Sequence, residues 1–150
     1  MSEIRFSAVH HRFADRIILA DIDLTLTEQR VGVIGANGSG KSTLVRMING
    51  LVQPTSGTVS VDGHDAGRDG KRVRGLVGFV FTDPDNQIVM PTVAEDVAFS
   101  LRSAKLPRAE VAERVTEVLR RFDLADHADH PTHLLSGGQK QLLALAAVLI

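Results

Sequence analysis

The sequence predicts an α/β fold built around a parallel sheet. Three observations carry that prediction. Apolar residues alternate with polar ones near the start of the chain. A glycine-rich loop then lies between a short apolar run and a helix-patterned stretch. From Thr92 onward the apolar period becomes helical.

The elements follow in order. Ile4, Phe6 and Ala8 alternate with Arg5 and Ser7, and Ile22, Leu24 and Leu26 alternate with Asp23, Thr25 and Thr27. This spacing predicts strands with one buried face. Val31–Ile34 is a short apolar run ending at glycine and is predicted as a strand. After the loop, Leu44, Val45 and Ile48 share one side of a helix that Asn49-Gly50 closes. Thr58–Val61 reads as a strand stopped by the Asp62-Gly63 turn. Leu76–Phe81 reads as a further buried strand. Thr92 with Glu95 fits a capping box, followed by Val93, Val97 and Leu101 on one helical face. Pro107 starts a second helix through Val111, Val115, Val118, Leu119 and Phe122. Asp123–Leu135 is a polar loop, and Ser136 opens a last helix that still runs at Ile150. The change of period places a helical subdomain over roughly residues 84–139.

Composition sets the class. With 43% hydrophobic and 23% charged residues, the 150-residue chain can bury one sizeable core as a soluble protein. A formal net charge of -1 gives no electrostatic reason to expect a nucleic-acid partner. The absence of cysteine excludes a disulfide frame and a thiolate metal site. The N-terminal residues do not resemble a secretion signal. The longest apolar run, Leu142–Ile150, is far short of the roughly 18 residues a membrane helix needs. The expected location is cytoplasmic, at most peripheral to a membrane.

Gly35-Ala36-Asn37-Gly38-Ser39-Gly40-Lys41-Ser42-Thr43 matches G-x-x-x-x-G-K-[ST]. Glycines let the backbone aim successive N–H groups at phosphate oxygens, and the following helix adds its positive end. Lys41 places a cation at the β- and γ-phosphates of a nucleotide, and the Ser42 hydroxyl can ligate Mg²⁺. A plain glycine turn before an ordinary helix is the bland alternative. The motif's place between an apolar run and a helix argues against it. The loop alone would suit a GTPase, a small-molecule kinase or a helicase equally well.

Leu135-Ser136-Gly137-Gly138-Gln139 decides among these. Ser136 caps a helix, Gln139 has capping-box spacing, and two glycines bare the backbone amides, which makes a second anion site. The segment resembles the signature motif of ABC ATPases, and the resemblance covers all 150 residues. It implies a P-loop NTPase core with an antiparallel N-terminal β-subdomain and a helical signature subdomain, ATP and Mg²⁺ as cofactors, and ATP hydrolysis coupled to transport. It implies a second ATPase subunit, identical or not, paired head to tail so that each ATP lies between one subunit's phosphate loop and the other's signature. Phe13 falls where the family places an aromatic ring on adenine; the family usually has Tyr there. The alternative for Phe13 is a core or hairpin residue.

Val80-Phe81-Thr82-Asp83-Pro84-Asp85-Asn86-Gln87, followed by Thr92–Phe99, is similar to the ATPases of energy-coupling-factor importers. That branch takes up vitamins, cobalt and nickel, and within it the chain is most similar to the ATPases of biotin importers. This implies a transmembrane coupling protein, a substrate-capture subunit, and a place on the cytoplasmic face of the membrane. A cobalt or nickel importer is the alternative, as is a soluble ABC ATPase outside transport.

The chain departs from the family in two ways. The glutamine expected after the Val-Phe pair is Thr82, with Gln87 five positions later. Thr82 could act at the metal side only through a water, and Gln87 is expected at the start of the helical subdomain, facing the coupling surface. The alternative is that both are loop residues without a special task. The Walker B strand with its Mg²⁺-binding aspartate, the catalytic glutamate and the switch histidine are expected beyond Ile150. Residues 1–150 are therefore read as an incomplete nucleotide-binding domain that does not turn ATP over alone. His127, His130 and His133 recur every three residues, but Pro131 interrupts any helix that would align them for a metal. Arg68, Lys71, Arg72 and Arg74 read as a solvated edge, and nothing in the sequence places Asp85 and Glu95 as catalytic carboxylates.

Overall fold

Alternating apolar residues open the chain as a hairpin of β1 (Ile4–Phe13) and β2 (Arg16–Leu26), paired antiparallel from Ile4↔Leu26 to Phe13↔Arg16. Strand β3 (Ser56–Val61) pairs antiparallel with β1, and the short β4 (His64–Asp65) completes a sheet of order β2-β1-β3-β4. This is a computed structural model that describes residues 2–150 in two units, Met1–Gly78 and Phe79–Ile150.

The predicted alternation fails part-way along the hairpin. Ala8 and Asp21 take positive φ, 46° and 50°, and the β1–β2 register shifts between Phe6 and Val9. A bulge moves every later side chain to the other face. Val9 is therefore fully buried where the sequence pattern pointed to Ala8, which is exposed.

Helix α1 (Lys41–Ile48) lies against this sheet. Its Met47 joins Phe6, Val9, Leu19, Val59, Val61, Ala66 and Val73 in one core, flanked by Leu44 and Ile48. Each fully buried side chain of this size contributes roughly 1.5–3 kcal/mol. The Asn49-Gly50 stop is as predicted, with Gly50 at φ 71°. The Asp62-Gly63 turn has both residues at positive φ, which matches the right-handed twist of a tight hairpin.

Two predicted strands are not formed. Residues 31–34 are irregular, and Ile34 is 95% exposed. Of residues 76–81, Leu76 ends a helix, α2 (Gly70–Leu76), that the sequence reading missed, and the rest are irregular. The described residues contain no parallel ladder. A buried parallel strand needs hydrogen-bonding neighbours, and no described segment supplies them to either run. The fold is α/β, with an antiparallel N-terminal sheet.

The second unit is helical: α3 (Val93–Ser100), α4 (Arg108–Arg121) and α5 (Gly137–Leu149). Val93, Val97, Val115, Val118, Leu119, Leu124, Leu135, Leu143 and Ala146 form its core. The predicted boundaries hold because each start has a local cause. Thr92 and Glu95 exchange both capping-box hydrogen bonds, and Pro107 precedes α4. The loop 123–135 carries two 3-10 turns, Ala125–His127 and Thr132–Leu134.

Candidate functional site

In the first unit the glycine-rich segment wraps around the start of α1. Gly38 and Gly40 take φ of 79° and 89°, conformations that cost an L side chain strain. Gly40 also lies close against β2: a Cβ there would sit 2.9 Å from Leu19 Cδ2 and 3.0 Å from the Ile18 carbonyl oxygen. Around Gly38 the space is open. The loop is thus held to the sheet at its C-terminal end and is free in the middle.

That geometry leaves donors exposed. Ser39 N–H donates to the Ala36 carbonyl at 3.2 Å, and Leu44 N–H to Gly40 at 2.9 Å. The N–H groups of Gly38, Gly40, Lys41, Ser42 and Thr43 have no protein partner among the described residues. No side chain caps α1. Lys41 folds back so that Nζ donates to the carbonyls of Gly35 and Ala36, at 2.8 and 2.7 Å. The ammonium therefore rests on the loop, beside the unpaired amides. A cation, a helix start and a row of free N–H groups together favour a polyphosphate. Ser42 is exposed, on the first turn of α1, where its hydroxyl is open to a ligand. Phe13, at the tip of the hairpin, is 76% exposed, which places it outside the core.

In the second unit Leu135 is buried in the helical core and anchors the segment that follows. Ser136 Oγ accepts from Gln139 N–H at 3.3 Å, and Ser136 N–H donates to Gln139 Oε1 at 2.9 Å. The capping box read from the sequence is present. Gly137 and Gly138 are exposed, and a Cβ on either would meet no atom within 4 Å.

Residues 81–87 lie along α5 in a way the sequence did not suggest. Gln141 Nε2 donates to the Thr82 carbonyl at 2.8 Å, and Lys140 Nζ pairs with Asp85 at 2.7 Å. Gln87 turns inward rather than to an outer surface. Its Oε1 accepts from Phe81 N–H at 3.2 Å, and its Nε2 donates to the Ala144 carbonyl at 3.0 Å. The Thr82 side chain is exposed. Glu95 is committed to its capping box with Thr92. No signal within a few residues could have shown these contacts, which span 55 to 59 positions between Thr82, Asp85, Gln87 and α5.

In each unit a helix thus starts at glycine, α1 directly after Gly40 and α5 at Gly137. The profile described as ABC transporter matches residues 19–150. The chain belongs to the ABC transporter family. A protein of Deinococcus radiodurans named as an ABC transporter ATP-binding protein is 55% identical over 150 residues, covering 100% of this chain and 66% of its own length. The biotin transport ATP-binding protein BioM of Rhizobium etli is 47% identical over 146 residues, covering 97% and 65%. Among solved structures, cbiO1 from Clostridium perfringens, part of the ABC transporter complex cbiONQ, superposes with a TM-score of 0.83 at 36% identity. That match covers 97% of this chain and 60% of the other. The chain thus spans about two thirds of the length of the curated relatives it matches. Membership of this family implies ATP binding. Among the described residues no helix of this ABC domain is long and apolar enough to cross a membrane.

Proposed function

We propose that the chain is the nucleotide-binding domain of the energy-coupling ATPase of a membrane importer, and that the imported substrate is biotin. The free amides around Lys41 carry the first part, because they fit a polyphosphate and little else in the fold does. The Lys41 ammonium and the free N–H groups of Gly38, Gly40, Lys41, Ser42 and Thr43 would hold the β- and γ-phosphates, and the Ser42 hydroxyl would ligate Mg²⁺. Gly35, Ala36, Asn37 and Ser39 shape the loop. Phe13, exposed at the hairpin tip, offers a π-face to adenine. ATP supplies the phosphoryl group whose hydrolysis drives the importer; the residues named here bind, orient and neutralise charge.

The signature, Leu135 to Gln139, serves the nucleotide of a second ATPase subunit. The partners are that subunit, a transmembrane coupling protein and a substrate-capture subunit, with the chain peripheral on the cytoplasmic face. The biotin reading is supported by the BioM relative at 47% identity. Thr82 has an exposed side chain, and its short hydroxyl would act on a ligand only through a bridging water. Gln87, bound at both ends of its amide, braces the segment instead.

The test is uptake. The full-length protein is reconstituted in liposomes with its membrane partners, and ATP-dependent uptake of labelled biotin, cobalt and nickel is followed in parallel. Biotin uptake that Lys41→Ala abolishes is the expected result. Uptake of cobalt or nickel in its place removes the biotin assignment. A protein that hydrolyses ATP but never co-purifies with membranes removes the importer role.

A further inference from the structure

We propose that His127 is a positioning residue for the signature motif, acting through the side chain of Gln139. The inference rests on the reading that the signature takes part in ATP turnover. His127 ends the 3-10 turn Ala125–His127, and its Nε2 lies 3.0 Å from Gln139 Nε2.

The proton arrangement follows from one fixed donor. Ser136 N–H is a backbone donor and can only meet an acceptor, so the Gln139 atom 2.9 Å from it is the amide oxygen. The Gln139 amide nitrogen then faces His127 and donates. His127 Nε2 must accept, which places the ring proton on Nδ1. That Nδ1 is buried and has no hydrogen-bond partner among the described residues. The ring therefore carries an unsatisfied buried donor on one side in order to present a lone pair on the other. Buried polar groups are nearly always paired, so an exception needs a reason. Here the reason is the orientation of Gln139.

The alternatives are worse for the signature. With the proton on Nε2, the amide would have to flip and point its NH₂ at Ser136 N–H. A doubly protonated ring gives the same donor–donor clash. In either case the Ser136 N–H loses its acceptor and the capping box opens. His127 thus selects one amide orientation, and that orientation holds the Ser136–Gln139 turn in the shape that bares the Gly137 and Gly138 amides. The His130 ring meets the His127 ring edge-on at 4.9 Å and fixes its plane.

Three variants of the full-length protein in its natural assembly test this. His127→Leu removes the acceptor; His127→Gln keeps an acceptor where Nε2 stands. The expected result is a fall in kcat of about tenfold for His127→Leu, with KM for ATP changed by less than about twofold, and recovery of most of the loss in His127→Gln. Ser136→Arg is the control for the underlying reading. If Ser136→Arg leaves kcat unchanged, the signature takes no part in turnover and the proposal falls with it. If Ser136→Arg abolishes turnover while His127→Leu matches the parent, only the His127 role is overturned. Equal loss in His127→Leu and His127→Gln, tracking thermal stability, overturns it as well. Nitrogen-15 NMR of the parent protein reads the tautomer directly and does not depend on any variant folding. A neutral ring protonated at Nδ1 supports the proposal, and one protonated at Nε2 overturns it.

Discussion

Substituting alanine at Gly40 and, separately, at Gly38 isolates the two reasons for glycine in the loop before α1. Both positions have positive φ, 89° and 79°. An L residue there costs roughly 1–2 kcal/mol at either site. Only Gly40 adds a steric term. Its new Cβ would sit 2.9 Å from Leu19 Cδ2 and 3.0 Å from the Ile18 carbonyl oxygen, against nothing within 4 Å at Gly38. Leu19 is buried and the carbonyl belongs to the β2 backbone, so neither moves aside easily. Forcing a methyl into such a contact costs a further 1–3 kcal/mol or so. Gly40→Ala should therefore destabilise the full-length protein by about 2–5 kcal/mol and Gly38→Ala by about 1–2. Urea denaturation reads the difference as a lower midpoint at unchanged slope. Equal midpoints for the two variants would refute the claim that β2 packs the loop's end.

Two other substitutions probe the second unit. Gln87→Leu leaves Phe81 N–H and the Ala144 carbonyl without their side-chain partner, which should lower stability by about 1–3 kcal/mol. A urea midpoint equal to the parent's would show that the inward bonds carry nothing. Ser136→Ala removes the acceptor of Gln139 N–H and should cost about 0.5–2 kcal/mol. Threonine at 136 keeps an acceptor and should recover most of that loss in the same assay; no recovery would mean the cap is not the cause.

What was legible in the sequence is what a few neighbouring residues decide. The Thr92–Glu95 and Ser136–Gln139 capping boxes, the Pro107 start, the Asn49-Gly50 stop and the Asp62-Gly63 turn each involve positions no more than three apart, and each is present. The helix that follows the glycine-rich segment was legible for the same reason. Strands are different, because a strand is only half of an interaction. The runs 31–34 and 76–81 have the composition of buried strands but no partner in the described residues, and they form no ladder. Bulges at Ala8 and Asp21 were equally hidden. Neither residue type favours positive φ strongly enough to announce it, yet the shift decides that Val9 and not Ala8 enters the core. The inward turn of Gln87 and the contact of His127 with Gln139 depend on where α5 lies, and no local pattern encodes that.

The two helix starts use one physical device to unequal degrees, and the difference bears on how they act. At α1 no side chain competes for the amides, so Lys41, Ser42 and Thr43 N–H remain free and Lys41 adds a full charge. At α5 the Ser136 hydroxyl occupies the Gln139 amide, and only Gly137 and Gly138 N–H are left among the first three. Lys140, on the first turn of α5, is already paired with Asp85. The helix end supplies about half an elementary charge, far less than the loop with its lysine. The α1 site has the donors to hold a polyphosphate by itself. The α5 site has two amides and a hydroxyl, enough to sense an anion held by something else and too few to capture one.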